Sequence, residues 1–157
     1  MKYLHVFFLL VTAAVPGCVS DRCEAPLDAS ETVVPLRLLK ASGTQDVFTP
    51  PARYSRDSVV LRDEQGQLVP LLAGQKDLEP LSFFLLDKDN DPQIGPLVKR
   101  QFILYLSKAD QDTIRAEYVL FENDCDRPQF RTLKLYYNAV QVHENSTSIP
   151  DLLIRKR

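Results

Sequence analysis

The chain has 157 residues, a formal charge of −2 at neutral pH, 45% hydrophobic residues, 11 prolines against 5 glycines, 3 cysteines and no tryptophan. That is room for one domain with its own core. The charge balance leaves no footprint for nucleic acid or an anionic membrane surface, and Arg155-Lys156-Arg157 reads as a solvated basic end.

Met1-Lys2 opens a run from Tyr3 to Val15 that is apolar except for His5 and Thr12. At about thirteen residues it is short of the roughly 20 that a spanning helix needs. It reads as a secretion signal. Val15-Pro16-Gly17-Cys18 closes it like a lipobox, with an aliphatic residue first and Gly just before Cys. The expectation is a cleaved leader at 1–17, acyl chains on Cys18, a polar tether over 18–31 and one domain over 32–157. Secretion without lipid and an uncleaved N-terminal anchor are the alternatives. Each buried methylene of an acyl chain contributes about 0.8 kcal/mol, so two chains or more hold stably. Loss of Lys2 would take the formal charge to −3.

Next come the strands. Thr32 to Lys40 alternates, with Val34, Leu36 and Leu38 on one face, and Pro35 argues for an edge position. Gly43, Thr44, Pro50 and Pro51 mark a loop. Ser58 to Arg62 is a short strand. Asp63-Glu64-Gln65-Gly66-Gln67 is a turn leading to a strand over Leu68 to Leu72. Leu81 to Leu86 reads as a strand buried on both faces, and Asp87 to Gly95 as a polar loop. In Arg100 to Ser107, Phe102, Leu104 and Leu106 share a face. Ile114, Ala116, Tyr118 and Leu120 do so in Thr113 to Phe121, and Leu133, Leu135 and Tyr137 in Phe130 to Tyr137. Val140 and Val142 continue the pattern, and Lys108 to Asp112 could form a helical turn. Short strands with turns about every 8–12 residues argue for an all-β antiparallel β-sandwich, immunoglobulin-like or transthyretin-like.

Cysteine parity fits export. With Cys18 lipidated, Cys23 and Cys125 are left as a pair for an oxidising compartment. A bridge between them would close a loop worth roughly 4–5 kcal/mol before strain. Two unpaired thiols are the other reading.

Cys18 followed by Cys23, a Pro-flanked first strand, Asp112-Thr113-Ile114 leading into Glu117-Tyr118, and the late Cys125 together resemble the small envelope lipoproteins of Bacteroidetes. The resemblance covers most of the mature chain. It implies a β-sandwich-like lipoprotein of the cell envelope and supplies no catalytic residues.

Other constellations are weak. Asp87, Asp89 and Asp91 have the D-x-D-x-D spacing of a calcium loop, and calcium takes about six to eight oxygens. Where an EF-hand loop has Gly and Glu, this chain has Pro92 and Val98, so a solvated turn is expected. Asp124 and Asp126 around Cys125 read as an exposed loop. His143-Glu144 lacks a nucleophile elbow and reads as surface. Asn145-Ser146-Thr147 matches a glycosylation pattern that a bacterial export signal makes coincidental. Phe83, Phe84, Tyr105, Tyr118, Tyr136 and Tyr137 mostly fit core positions.

The expectation is therefore a non-catalytic, lipid-anchored envelope protein without cofactors. It would sit at the outer membrane through acyl chains on Cys18, as a structural or interaction module with an envelope-protein partner. The alternative is a glycan- or peptide-binding module using the loops 87–95 and 122–129.

Overall fold

A computed structural model describes residues 32–72, 80–86, 93–125, 127–145 and 149–156. Ten strands appear in chain order: β1 (Val33–Lys40), β2 (Val60–Asp63), β3 (Leu68–Val69), β4 (Leu71–Leu72), β5 (Leu81–Phe84), β6 (Leu97–Ser107), β7 (Asp110–Glu122), β8 (Pro128–Tyr137), β9 (Val140–Asn145) and β10 (Leu152–Lys156). Among the described residues they form a four-stranded sheet ordered β10-β1-β5-β4 and a six-stranded sheet ordered β3-β2-β6-β7-β8-β9. The two sheets pack as a β-sandwich, with one short 3₁₀ turn at Arg56–Ser58.

Period-two alternation builds the core. The inward residues Phe102 and Leu104 of β6, Ile114 and Leu120 of β7, and Leu133 and Leu135 of β8 are all fully buried, as the sequence pattern requires. Val34, Leu36 and Leu38 of β1 and Phe83 of β5 meet them from the other sheet. The Phe83 and Phe102 rings join the layers with centroids 5.1 Å apart in a tilted arrangement. Burying side chains of this size contributes about 1.5–3 kcal/mol each.

The chain between the two sheets departs from the sequence reading at Pro70. Leu68–Val69 pairs with β2 in the larger sheet, and Leu71–Leu72 pairs with β5 in the smaller one. Pro70 has no N–H to give a ladder, so the expected strand over 68–72 breaks there and its halves serve different layers. Asp63 makes the preceding turn: its Oδ1 accepts the backbone N–H groups of Gln65 and Gln67. Gly66 sits there at φ +78°, a conformation suited to glycine.

Three further expectations are corrected. Pro35 does not make β1 an edge strand; β1 lies between β10 and β5. β10 joins only from Leu36 onward, so at Pro35 one side of β1 has no ladder to break. Lys108 and Ala109 are not the start of a helical turn but the two-residue turn of the β6–β7 hairpin. Lys156 is not part of a solvated tail: with Leu152 and Ile154 of β10 it points inward and is buried, while Arg155 between them is exposed.

Four charged residues on the outer face of the larger sheet answer one another. Lys99, Glu117, Lys134 and Glu144 are successive neighbours across β6 to β9 and alternate in sign. Lys99 lies 3.6 Å from Glu117 and Lys134 lies 2.8 Å from Glu144. Opposite charges directly across a ladder stabilise the pairing and fix its register.

Candidate functional site

Three of the apolar inward faces end in polar residues at the same end of the sandwich. In β7, Asp110 and Asp112 continue the face of Ile114 and Ala116. In β8, Tyr137 continues Leu133 and Leu135, and in β10 Lys156 continues Leu152 and Ile154. Period two carries each polar side chain inward, where it can be held only by a hydrogen-bonded partner.

The partners are one another. Lys156 Nζ donates to Asp110 Oδ1 at 2.8 Å and closely to Asp112 Oδ2. The Tyr137 hydroxyl donates to Asp112 Oδ2 at 2.5 Å, and Asn138 Nδ2 donates to Asp112 Oδ1 at 2.6 Å. Asn138 is fixed in turn, since its Oδ1 accepts the Thr113 N–H at 2.8 Å and its own N–H reaches the Thr113 carbonyl at 2.9 Å. It sits at φ 46° in the β8–β9 turn, a conformation asparagine tolerates better than most side chains. From the 41–59 loop, Tyr54 donates closely to Asp110 Oδ2, and the Arg53 guanidinium lies 4.0 Å from the same carboxylate. That loop is held by burial of Val47 and Phe48 and by the Arg53 N–H bonding the Val47 carbonyl at 2.9 Å. Asp112 is 3% exposed and Lys156 7%.

Titration behaviour follows from this packing. Burial pushes the Tyr54 hydroxyl up to about 12, aided by its bond to the Asp110 carboxylate. Burial raises Tyr137 further still, again with help from its carboxylate partner, Asp112. Asp110 is pulled below the ordinary carboxylate value: burial opposes this, but the bonds from Lys156 and Tyr54 outweigh it. The two carboxylates face one ammonium, Lys156, and one guanidinium, Arg53, with the Tyr54 and Tyr137 hydroxyls donating to them.

The cluster forms one wall of a groove of about 550 Å³ between β9 and β10. Val140 and Val142 line it from one side, Leu153 and Ile154 from the other, and Asp110 and Lys156 close its end. β9 and β10 are the last strands of their sheets, so each offers an edge without a neighbouring strand among the described residues. Val140 is 65% exposed and Leu153 61%.

The residues singled out from the sequence fall elsewhere. Cys18, Cys23, Asp87, Asp89, Asp91 and Asp126 lie outside the described residues. Among the described ones, no group of three His, Cys, Asp or Glu side chains could hold a metal ion, and no helix is long and apolar enough to cross a membrane. Cys125 is disulfide-bonded. It sits in the β7–β8 turn, where its N–H and that of Arg127 donate to Asn123 Oδ1. Of the two candidate loops, Ile94 lies beside Leu120, bringing the described end of 87–95 next to the end of β7. Glu144 pairs with Lys134, and His143 is half-buried opposite Leu135. The aromatic residues divide evenly: Phe83, Tyr118 and Tyr137 are buried, while Phe84, Tyr105 and Tyr136 lie on outward positions and are half-buried.

Sequence reasoning missed the Asp110–Asp112–Tyr137–Lys156 cluster. The usable signal was an alternating apolar face running on into a charged or phenolic residue, once in each of three strands. In comparisons with protein-family models, curated proteins and solved structures, none matches the chain.

Proposed function

We propose that the protein is a non-catalytic, lipid-anchored module of the cell envelope that holds an extended segment of an envelope-protein partner in the groove between β9 and β10. The observation that carries this reading is the convergence of two strand edges, without a neighbouring strand among the described residues, on one groove flanked by Val140, Val142, Leu153 and Ile154. Unpaired edges are templates for an added strand, and soluble proteins usually blunt them. Here the exposed residues along them include Val140 and Leu153. Backbone N–H and C=O groups would supply affinity, and the aliphatic side chains would select alternate residues of the partner.

The leader supports an anchor through Cys18, and Cys23 is the natural partner for the bonded Cys125. β7 runs 13 residues from Asp110 to Glu122. At about 3.3 Å per residue this separates the Cys125 turn from the groove end by about 40 Å. A tether bonded at Cys125 would leave the groove on the end remote from the membrane. A glycan platform has less behind it, since the Arg115 guanidinium lies 4.2 Å over the outward Tyr136 ring and covers that face.

Two experiments test the two halves. Metabolic labelling with an alkyne fatty acid should tag the wild type and leave Cys18→Ser unlabelled; equal labelling would refute the anchor. A photo-crosslinking residue at position 153, in living cells, should give a discrete polypeptide adduct that Val142→Arg abolishes. An adduct equally strong from position 131, on the outer face of the larger sheet, would refute the groove.

A further inference from the structure

We propose that Lys156 and Asp112 become joined by an amide bond between the Lys156 side-chain nitrogen and Asp112 Cγ, formed by the folded protein itself with Asp110 as the proton carrier. Three observations point to it. The amine and the carboxyl are in direct contact and almost wholly removed from water. Both oxygens of Asp112 carry a fixed donor, Asn138 Nδ2 on Oδ1 and the Tyr137 hydroxyl on Oδ2. A second carboxylate, Asp110, stands 2.8 Å from the same nitrogen. Nucleophile, acyl group, oxyanion donor and proton carrier are thus assembled on two sheets that the fold already holds together. A nucleophile and an acyl group held in near-attack geometry reach effective molarities of about 10⁵–10⁸ M.

The step balances without a co-reactant. Lys156 passes one proton to Asp112 Oδ2, leaving a neutral amine and a carboxylic acid. The nitrogen lone pair attacks Cγ, a C–N bond forms, and the carbonyl electron pair moves onto Oδ1 facing the Asn138 N–H. Such donors aimed at the developing charge are effective where water is excluded. Asp110 takes a proton from the nitrogen and delivers it to the hydroxyl on Cγ. The C–Oδ2 bond breaks, Oδ1 reforms the carbonyl, and one water leaves along the groove. Asp110 is regenerated as a carboxylate, and nothing is oxidised or reduced.

Asp112 is the acyl partner rather than its neighbours. Asp110 is more exposed and already engaged by Tyr54 and Arg53. The Asn138 carbonyl oxygen is taken by the Thr113 N–H. The bond would tie the last strand to the opposite sheet by a link that reductants do not cleave.

The test is the mass of the purified, reduced full chain beside Lys156→Arg from the same host, so that leader processing and lipid cancel. The wild type should be lighter than the side-chain difference requires by one water, and its digest should hold one fragment joining the Asp112 and Lys156 peptides. Asp110→Asn should fold and keep that water. A wild-type digest with separate Asp112 and Lys156 peptides overturns the proposal, and needs no variant to fold. So does a lost water that persists in Lys156→Arg, or a lost ammonia mapped to Asn138. Full linkage in Asp110→Asn overturns the role given to Asp110.

Discussion

Lys156 and Asp112 stand 44 residues apart in the chain and in different sheets, yet the ammonium of one rests on the carboxylate of the other. β10 has five residues and, among the described residues, pairs only with β1. Beyond that ladder, Leu152 and Ile154 hold it by apolar contact and Lys156 by charge. The polar cluster therefore decides where the last strand docks and, with it, the shape of the groove.

Removing one member of a buried charge set leaves the others without an answer. Measured against a wild-type chain in which Lys156 and Asp112 are still unlinked, Lys156→Met should cost about 3–5 kcal/mol of stability, because two carboxylates lose their cation while Asp112 stays desolvated. Lys156→Met combined with Asp112→Leu should cost less than Lys156→Met alone. Urea denaturation of the three proteins checks the order; a larger loss in the double variant would refute it.

The same cluster sets limits at both ends of the pH scale. Asp110 has its folded value lowered, so its contribution is present above the unfolded carboxylate value of about 3.9 and is lost as pH falls through the folded one. Tyr54 has its folded value raised to about 12. Its contribution is complete below the unfolded value of about 10 and is lost as pH rises towards the folded one. Stability measured against pH should decline over that alkaline window in the wild type and decline less in Tyr54→Phe. Identical alkaline limbs would remove Tyr54 from the explanation.

Phe83 and Phe102 are the aromatic contact between the layers, and each is 1% exposed. Truncating either to Ala should cost about 3–5 kcal/mol. A double-mutant cycle should return a coupling of about 0.5–1.5 kcal/mol beyond area burial. Additive losses would mean that the rings pack independently.

At Gly66 a Cβ would meet no heavy atom within 4 Å, but φ is +78°. Gly66→Ala should therefore cost about 1–2 kcal/mol through backbone conformation alone, with Gly66→Asn milder because asparagine visits this region more readily. Thermal unfolding of the two variants checks the order.

Much of the larger sheet was legible because period two is local. Phe102, Leu104 and Leu106 are separated by single residues, and no partner need be known to see that they share a face. What joins to what is not local. Leu36 pairs with Leu152 from the far end of the chain, and nothing near either residue says so. Pro35 suggested an edge because it has no N–H to give a ladder, and β10 does run beside β1 only from Leu36 onward, but there it makes β1 an inner strand. Arg155-Lys156-Arg157 hid β10, since three cations in a row outweigh the alternation of Leu152 and Ile154. Asp110 and Asp112 fell in the stretch Lys108 to Asp112 that read as a possible helical turn, and only the arrival of Lys156, Tyr137 and Tyr54 from remote positions makes them an internal cluster.

The central claim is that the outer edges of β9 and β10 receive an added strand, and amide hydrogen exchange reads this directly. The protein would be compared alone and in the complex solubilised from native envelopes. Outward-facing amides along the two edges should exchange markedly more slowly in the complex, while those near the Cys125 turn stay unchanged. Unaltered exchange along both edges, with protection elsewhere on the surface, would contradict the account.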